Sequence, residues 1–279
     1  MDIKILVVIY NTKLSDSATL LSLANQEITH NINISLAIYD NSASSNFEKE
    51  FIKKLTQRFD LVYKHTPQNL SLREIYNGEI KEMDSDDILV VLDDDTSLPD
   101  NYLDMVAQSI IENPSISLFV PKVFVHGSLY SPHKSFVFLN RKIKKITNGA
   151  IYTKNMSAIN SGMVIRGAFF KSSGFLYPNF VDFYGTDKVF FDAYASYQRY
   201  FYVMNICVDH DVSNHPSNRD INNYASVVNK VNVFWLKYLD KKRLLLNAYK
   251  LFMLFYALKL SLKNKKIIFL KNAFNLGFK

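Results

Sequence analysis

Three consecutive aspartates follow an apolar run in residues 88–97, which read ILVVLDDDTS. Adjacent carboxylates repel one another, and burying them is costly unless a cation or hydrogen-bond donors compensate. Asp93 and Asp95 are two residues apart, so a bent chain can turn both toward one space, with Asp94 pointing away. Carboxylate oxygens and substrate phosphates are the ligands that Mg²⁺ and Mn²⁺ prefer. The spacing predicts a site for a divalent cation and a diphosphate; the alternative is a solvated acidic turn.

The elements that must position these aspartates alternate between strand and helix. The strands are expected at residues 3–9, 34–39, 61–64, 88–92 and 116–120; the helices are expected after a cap at Ser15 or Asp16, at 51–59, at 72–83 and after Pro99. This alternation predicts an α/β fold with a mostly parallel, Rossmann-like sheet flanked by helices. Ligands bind beyond the carboxyl ends of such strands. Three of these ends are polar, at residues 10–12, 40–42 and 93–97, which predicts that they form one site.

Composition and charge limit the other functions. The chain has 279 residues, of which 48% are hydrophobic, so a sizeable core is expected. Cys207 is the only cysteine, so an intrachain disulfide is excluded. Residues 230–279 hold twelve Lys or Arg and one acid, a charge of +11, whereas residues 1–229 carry −4. The basic character therefore belongs to the tail, and nucleic-acid binding by the rest is not expected.

These patterns predict two regions. Residues 1–225 are expected to form one domain, with a nucleotide-binding half at about 1–120 and an acceptor half at about 121–225, and residues 226–279 a basic helical extension. The N-terminal segment MDIKILVVIYN does not look like a secretory signal. No run of about 20 apolar residues is present, so a transmembrane helix is not expected.

Four segments in this order and spacing carry a family resemblance: ILVVIYNTK, LAIYDNSASSN, NLSLREIYNGEI and VLDDDTSLP. Over roughly residues 3–215 the chain is similar to inverting family 2 glycosyltransferases of the GT-A fold, and among them to the rhamnosyltransferase-like branch that builds bacterial surface polysaccharides. The resemblance implies that Asp95 binds the metal, Mg²⁺ or Mn²⁺. Ser71 stands where the family has a glycine. The donor contacts that the resemblance implies are Tyr10, Asn11, Asp40, Asn69, Arg73, Asp93 and Asp94.

Inverting transfer requires a carboxylate that removes the proton of the acceptor hydroxyl. The family takes this base from an acidic pair ahead of an aromatic helix, and the segment TDKVFF has that layout. The alignment makes Asp187 the base, with Thr186 in place of its usual acidic neighbour. A shifted alignment nominates Asp182, and Asp192 is a third candidate. Either Asp187 or Asp182 could instead cap the following helix.

The resemblance also implies a histidine after the base helix. His210 ends the strand-like segment YVMNICVDH, where the family has a histidine that ligates the metal or contacts the diphosphate; His215 is the alternative. The segment NSGMVIR resembles the acceptor-side loop of the family, in which Gly162 permits close approach of the backbone.

Residues 231–279 interleave aromatic and aliphatic residues with lysines. This pattern is typical of helices that lie in a membrane interface with lysines on anionic headgroups, or of helices whose apolar face packs on a core. The resemblance implies a nucleotide-sugar donor and a lipid-linked oligosaccharide acceptor, and the tail adds the inner-membrane surface, on the cytoplasmic side, as an expected partner.

Together these features predict transfer of a sugar from dTDP-rhamnose or a UDP-hexose, in O-antigen or capsule synthesis. A nucleotidyltransferase acting on sugar phosphates is one alternative, although YNTKLSDS lacks the glycine-rich loop usual in that class. A second alternative is an inactive glycosyltransferase-like membrane scaffold, which the loss of an acid at Thr186 keeps open. A phosphatase of the haloacid-dehalogenase type fits poorly, because two βα units precede the aspartates.

Overall fold

The computed structural model of the chain describes residues 2–30, 32–210 and 220–277. The predicted alternation of strand and helix is present in the first half of the chain. The bounds are β1 Asp2–Ile9, α1 Ala18–Ala24, β2 Asn33–Asp40, α2 Lys49–Thr56, β3 Asp60–His65, α3 Leu72–Glu82, β4 Ile88–Asp93, β5 Thr96–Ser97, α4 Tyr102–Glu112 and β6 Leu118–Val125.

The second half begins with short strands and ends with helices. The bounds are β7 Ser128–Ser131, β8 His133–Phe136, β9 Leu139–Arg141, β10 Gly149–Tyr152, β11 Met156–Ser157, β12 Met163–Arg166, α5 Gly167–Ser173, α6 Thr186–Tyr197, β13 Tyr200–His210, α7 Ile221–Tyr238, α8 Arg243–Asn264 and α9 Ile268–Gly277. These described residues form two units: the first holds β1 to β13 and α1 to α6, and the second holds Pro178–Gly185 with α7 to α9. The predicted boundary at residue 225 stays a prediction.

One large sheet organises the first unit. Its strand order is β10-β13-β6-β12-β4-β1-β2-β3, and β5 and β7 pair with β13 and β6. The strands β3, β2, β1 and β4 are parallel, whereas β12 runs antiparallel to both β4 and β6. A small sheet of order β11-β8-β9 accompanies it. The predicted α/β fold is confirmed: this is a mixed sheet flanked by helices, consistent with a GT-A fold.

The core explains why β4 can carry aspartates at its end. The first five residues of β4 are buried, and Val90 and Leu92 pack with Ile5 and Val7 of β1 in the main apolar cluster. Central parallel strands covered on both faces have such continuous apolar runs. The strand is therefore anchored along its length and delivers Asp93 at a fixed point.

The cap of α1 differs from the prediction. Leu14–Asp16 form a short 3₁₀ turn, and the helix is capped by Ser17, whose side chain accepts a hydrogen bond from the Leu20 N–H. Ser15 is instead bound to Glu48, through its N–H at 2.8 Å and its hydroxyl at 2.9 Å. The prediction of Ser15 or Asp16 was wrong because this long-range contact uses Ser15 before the helix begins.

The second unit is a helical group with an aromatic interior. Phe234 on α7 lies against the backbone of Gly185, where an added Cβ would come within 2.2 Å of the ring. The Tyr249 hydroxyl on α8 donates to the Asn232 side chain of α7 at 2.7 Å. By length and composition, α8 is the one helix among the described residues that could cross a membrane, and 28% of its apolar window is buried.

Candidate active site

The carboxyl ends of three neighbouring strands bring the predicted polar segments together. In the parallel pairing of β1 with β2, Ile9 lies opposite Asp40, and in the pairing of β1 with β4, Val8 lies opposite Asp93. The residues that follow these ends therefore leave the sheet at the same edge. The Asn11 N–H donates to the Ser42 hydroxyl at 2.8 Å, which joins the first two segments directly.

Asp93, Asp95 and His210 form a cluster that could hold a metal ion. One potential ligand atom from each lies within 4.8 Å of the others, and His210 Nδ1 is 3.4 Å from Asp95 Oδ1. The histidine arrives from far along the chain because β13 pairs with β5, which places His210 opposite Thr96. The two carboxylates suit Mn²⁺ or Mg²⁺, and the imidazole is a ligand more typical of transition metals than of Mg²⁺.

Hydroxyl groups from other elements fix the backbone of the aspartate segment. The Thr19 hydroxyl donates to the Asp93 carbonyl, and the Ser17 hydroxyl donates to the Asp94 carbonyl at 2.7 Å. The Asp93 N–H donates to the Ser161 hydroxyl at 3.2 Å. The start of α1 and the segment before β12 therefore hold the turn from both sides. The sequence patterns missed Ser17, Thr19 and Ser161, since no local motif marks a contact across 68 to 77 positions.

The site concentrates negative charge. Burial, and then the neighbouring charges of Asp95, Asp94 and Asp187, raise the pKa of Asp93 to about 7. Burial and the charge of Asp95 raise the pKa of Asp94, although a hydrogen bond from Thr12 opposes this. A divalent cation would relieve this repulsion, so the residues present fit a metal. Asp94 does not belong to the three-residue cluster but lies near it, since His210 influences its pKa.

Asp187 lies in the first turn of α6, close enough to this cluster that its charge contributes to the raised pKa of Asp93. Burial raises the pKa of its carboxyl, while the N–H of Lys188, which donates to it at 2.8 Å, opposes the increase. Burial raises the pKa values of Tyr76, Tyr130 and Tyr177, and the charge of Asp187 adds to each increase. A buried carboxylate near a metal cluster and phenolic side chains is suited to proton transfer.

The other acidic candidates have different surroundings. Asp182 is exposed and belongs to the segment Pro178–Gly185 of the second unit. Asp192 lies one turn along α6 and binds Lys188 Nζ at 2.6 Å. At Thr186, where the family resemblance implies an acid, the buried hydroxyl accepts a hydrogen bond from the Asn160 side chain at 2.6 Å. Thr186 therefore contributes an uncharged hydrogen bond that fixes the start of α6.

Asp40 organises the turn after β2. Its residue is 0% exposed, and its carboxylate accepts hydrogen bonds from the Ser42 N–H at 3.0 Å, the Asn46 N–H at 2.6 Å and the Tyr63 hydroxyl at 2.6 Å. Burial alone would raise its pKa, but these hydrogen bonds outweigh burial and lower it. A direct contact of Asp40 with a ligand stays a prediction.

The remaining donor candidates lie on exposed turns and at the start of α3. Tyr10 and Asn69 are exposed, and Asn11 and Asn69 have left-handed backbones with φ of 55° and 53°. Ser71 caps α3 in a capping box with Glu74, which explains a serine where the family has a glycine. Arg73, in the first turn of α3, has a buried Nε with no hydrogen-bond partner among the described residues.

Gly162 satisfies the predicted need for close approach, because its φ is +83° and a Cβ would lie 2.5 Å from Pro121 Cγ. His215 lies outside the described residues, so only His210 can be placed.

A mixed sheet flanked by helices, with paired carboxylates at the end of β4, is consistent with the GT-A fold of glycosyltransferases. The chain belongs to glycosyl transferase family 2, whose sequence model matches residues 4–174. No curated protein sequence matches the chain.

Solved structures share this fold at low sequence identity. The crystal structure of TarS from S. aureus is 17% identical, with a TM-score of 0.55, and the match covers 85% of this chain and 40% of that one. TarS 1–349 in complex with UDP is 17% identical, with a TM-score of 0.56, over 85% of this chain and 66% of that one. GalNAc-T7 with UDP, GalNAc and Mn²⁺ is 13% identical, with a TM-score of 0.56, over 85% of this chain and 50% of that one.

Proposed function

We propose that the protein is an inverting, metal-dependent glycosyltransferase that moves a sugar from a nucleotide diphosphate to a lipid-linked glycan. The observation that carries this proposal is the Asp93, Asp95 and His210 cluster, together with Asp187 at the start of α6, whose charge contributes to the raised pKa of Asp93. Membership of glycosyl transferase family 2 supports the reaction class. A TarS structure holds UDP-GlcNAc, which supports a UDP-hexose donor. The resemblance to the rhamnosyltransferase-like branch supports dTDP-rhamnose as the other leading donor.

Each candidate residue has a role in this reaction. Asp95 and His210 would hold Mg²⁺ or Mn²⁺, which when bound neutralises the charge of the departing diphosphate. Asp187 removes the proton from the acceptor hydroxyl while that oxygen attacks the anomeric carbon and the bond to the diphosphate oxygen breaks. The donor is bound along the strand ends. Its proposed contacts are Tyr10, Asn11, Asp40, Asn69, Arg73, Asp93 and Asp94.

Features of the second unit support the proposed lipid-linked acceptor and the proposed location at a membrane. Along α8 runs a row of exposed apolar side chains at spacings of four and seven residues: Leu251, Phe255 and Leu262. Exposed lysines lie near this row in sequence: Lys259, Lys263 and Lys266. An apolar helical face next to lysines favours the surface of an anionic membrane. We therefore place the enzyme peripherally on the inner face of a bacterial plasma membrane, in O-antigen or capsule synthesis.

The test measures the binding and turnover of each donor in a panel of nucleotide-sugars. Each donor is tested in the presence of Mn²⁺, of Mg²⁺ and of a chelator. A thermal shift with one donor, dependent on the metal, is expected for the wild type. Asp95→Asn should abolish the metal dependence, whereas Asp86→Asn, the same change at an exposed aspartate outside the site, should retain it. No binding of any nucleotide-sugar with either metal would overturn the proposal.

Product analysis separates the alternatives in the same experiment. Release of a nucleoside diphosphate together with a glycosylated acceptor supports sugar transfer. Formation of a nucleotide-sugar from a nucleoside triphosphate and a sugar phosphate, with release of pyrophosphate, would indicate a nucleotidyltransferase. Donor binding without turnover on any lipid-linked acceptor would indicate an inactive scaffold.

A further inference from the structure

The middle of the chain is strongly and uniformly basic. Residues 113–181 contain nine Lys or Arg and no Asp or Glu, whereas residues 1–112 carry a formal charge of −10. A segment of this length without a single acid concentrates positive potential on the surface that it forms. Five of its nine cations lie within residues 134–145, around the hairpin made by β8 and β9.

The β8–β9 hairpin, residues 133–145, has an apolar tip with cations behind it. Phe136 and Leu139 lie opposite each other beside the turn and are 46% and 50% exposed. Two positions back, Lys134 and Arg141 lie opposite each other, and both are exposed. Like charges directly opposite in a sheet destabilise it, so this pair favours a counterion outside the protein. The exposed cations of the hairpin are Lys134, Arg141, Lys142, Lys144 and Lys145.

The hairpin borders the acceptor side of the candidate site. Lys142 Nζ lies 5.8 Å from the centre of the Tyr130 ring. Burial raises the pKa of Tyr130, and the charge of Asp187 adds to this increase. The small sheet is also attached to the base helix, because β11 pairs with β8 and packs against α6. What the hairpin binds is therefore held near Asp187.

The combination of tip and charges selects one kind of partner. A soluble anionic polymer would use the five cations but would leave Phe136 and Leu139 in water. An anionic bilayer uses both, since apolar side chains enter the boundary with the acyl chains and lysines bind headgroup phosphates. Exposed apolar groups framed by charge are a usual mark of an interaction surface.

We propose that the β8–β9 hairpin is a lipid-docking element that inserts Phe136 and Leu139 into an anionic bilayer and holds the acceptor side of the site at the membrane. This contact lies in the first unit and is separate from the α8 face. The assignment of the hairpin to the acceptor side rests on the proposed sugar transfer. Docking of the hairpin on a bilayer does not rest on that function.

Vesicle binding of the full chain tests the proposal, with vesicles that contain phosphatidylglycerol and vesicles of phosphatidylcholine alone. Lys144→Gln with Lys145→Gln should weaken binding to the anionic vesicles roughly 30-fold, since each lysine near such a surface contributes on the order of 1 kcal/mol and about 1.4 kcal/mol is tenfold. The matched control is Lys49→Gln with Lys53→Gln, two exposed lysines of α2 in the acidic half of the chain. Equal binding by the two double variants would overturn the proposal.

A local probe keeps the hairpin distinguishable from α8. Trp235 is the only tryptophan, so Phe136→Trp in a Trp235→Phe background reports on the tip alone. A blue shift of its emission with anionic vesicles is expected. The control is Ile111→Trp in the same background, at an exposed position of α4, and its emission should not shift. No shift at position 136, or a shift produced only by soluble polyphosphate, would overturn docking. Donor binding, measured on the same variants with Mn²⁺, reports separately on the proposed function.

Discussion

The charge of Asp187 acts on Asp93 although the two residues are far apart in sequence. The charge of Asp187 contributes to the raised pKa of Asp93, and burial raises the pKa of Asp187 itself. A carboxyl group with a raised pKa binds a proton more readily, which suits a base that must accept one from a hydroxyl. Asp182, the other candidate, is exposed.

Asp187→Asn is therefore expected to lower the rate of sugar transfer roughly 10²–10⁴-fold while donor binding stays nearly unchanged. In the wild type, activity should rise with pH as Asp187 loses its proton, above the usual range of a carboxyl group. Steady-state kinetics on the donor that the panel identifies would measure both effects. The matched control is Asp182→Asn, which should stay within a few-fold of the wild type. A large loss in that control, with activity retained in Asp187→Asn, would reverse the assignment.

At the scale of elements, a carboxylate on α4 holds the segment that leads from α1 to β2. Asp104 accepts hydrogen bonds from the Thr29 N–H at 3.0 Å and the His30 N–H at 3.2 Å, and its Oδ1 lies 3.0 Å from His30 Nδ1. Burial opposes ionisation, but the hydrogen bonds from Thr29 and His30 outweigh it and lower the pKa of Asp104 to about 2. Because the folded pKa lies below the unfolded one, this stabilisation is present above about pH 4 and is lost as the pH falls toward 2.

Asp104→Asn is expected to reduce the free energy of unfolding by about 1–2 kcal/mol at pH 7, since hydrogen bonds to a charged group are lost. The difference from the wild type should shrink as the pH falls from about 4 toward 2. Urea unfolding at several pH values would measure it. Asp86→Asn, a change at an exposed aspartate, serves as the control. A difference that stays constant with pH would contradict this account.

At the scale of the whole molecule, the proposed location on a membrane depends on α8. By length and composition alone the helix could span a membrane, because its lysines are sparse enough for one apolar window of 18 residues; the expectation that no transmembrane helix is present stays a prediction. Its mean hydropathy of 1.3 in that window is modest. Lysines within and beside the helix favour an interfacial position.

The protein should therefore be released from membranes by high salt or alkaline wash. Leu251→Ser with Phe255→Ser should reduce vesicle flotation, because both side chains are exposed on the apolar face of α8. Leu21→Ser, at an exposed leucine of α1, is the control. Retention of the wild type after both washes would contradict the peripheral location and favour a helix that spans the membrane.

The sequence by itself determined the elements and the chemistry of the main motif. Apolar runs and helical spacing are local properties, so β1 to β4, α1 to α4 and the aspartates after β4 could be predicted from neighbouring residues. The resemblance also indicated His210 and Asp187, but not how they reach the aspartates.

Only the tertiary structure decided which distant groups meet. The pairing of β5 with β13 brings His210 to Asp95, and hydroxyls of Ser17, Thr19 and Ser161 hold the aspartate turn. The same applies to Ser15, which Glu48 removes from its predicted role as a cap. Such contacts depend on strand order and register, which are fixed by packing of the whole sheet. A local sequence pattern does not reveal these contacts, because each of these serine, threonine and histidine residues resembles any other polar residue within its own segment.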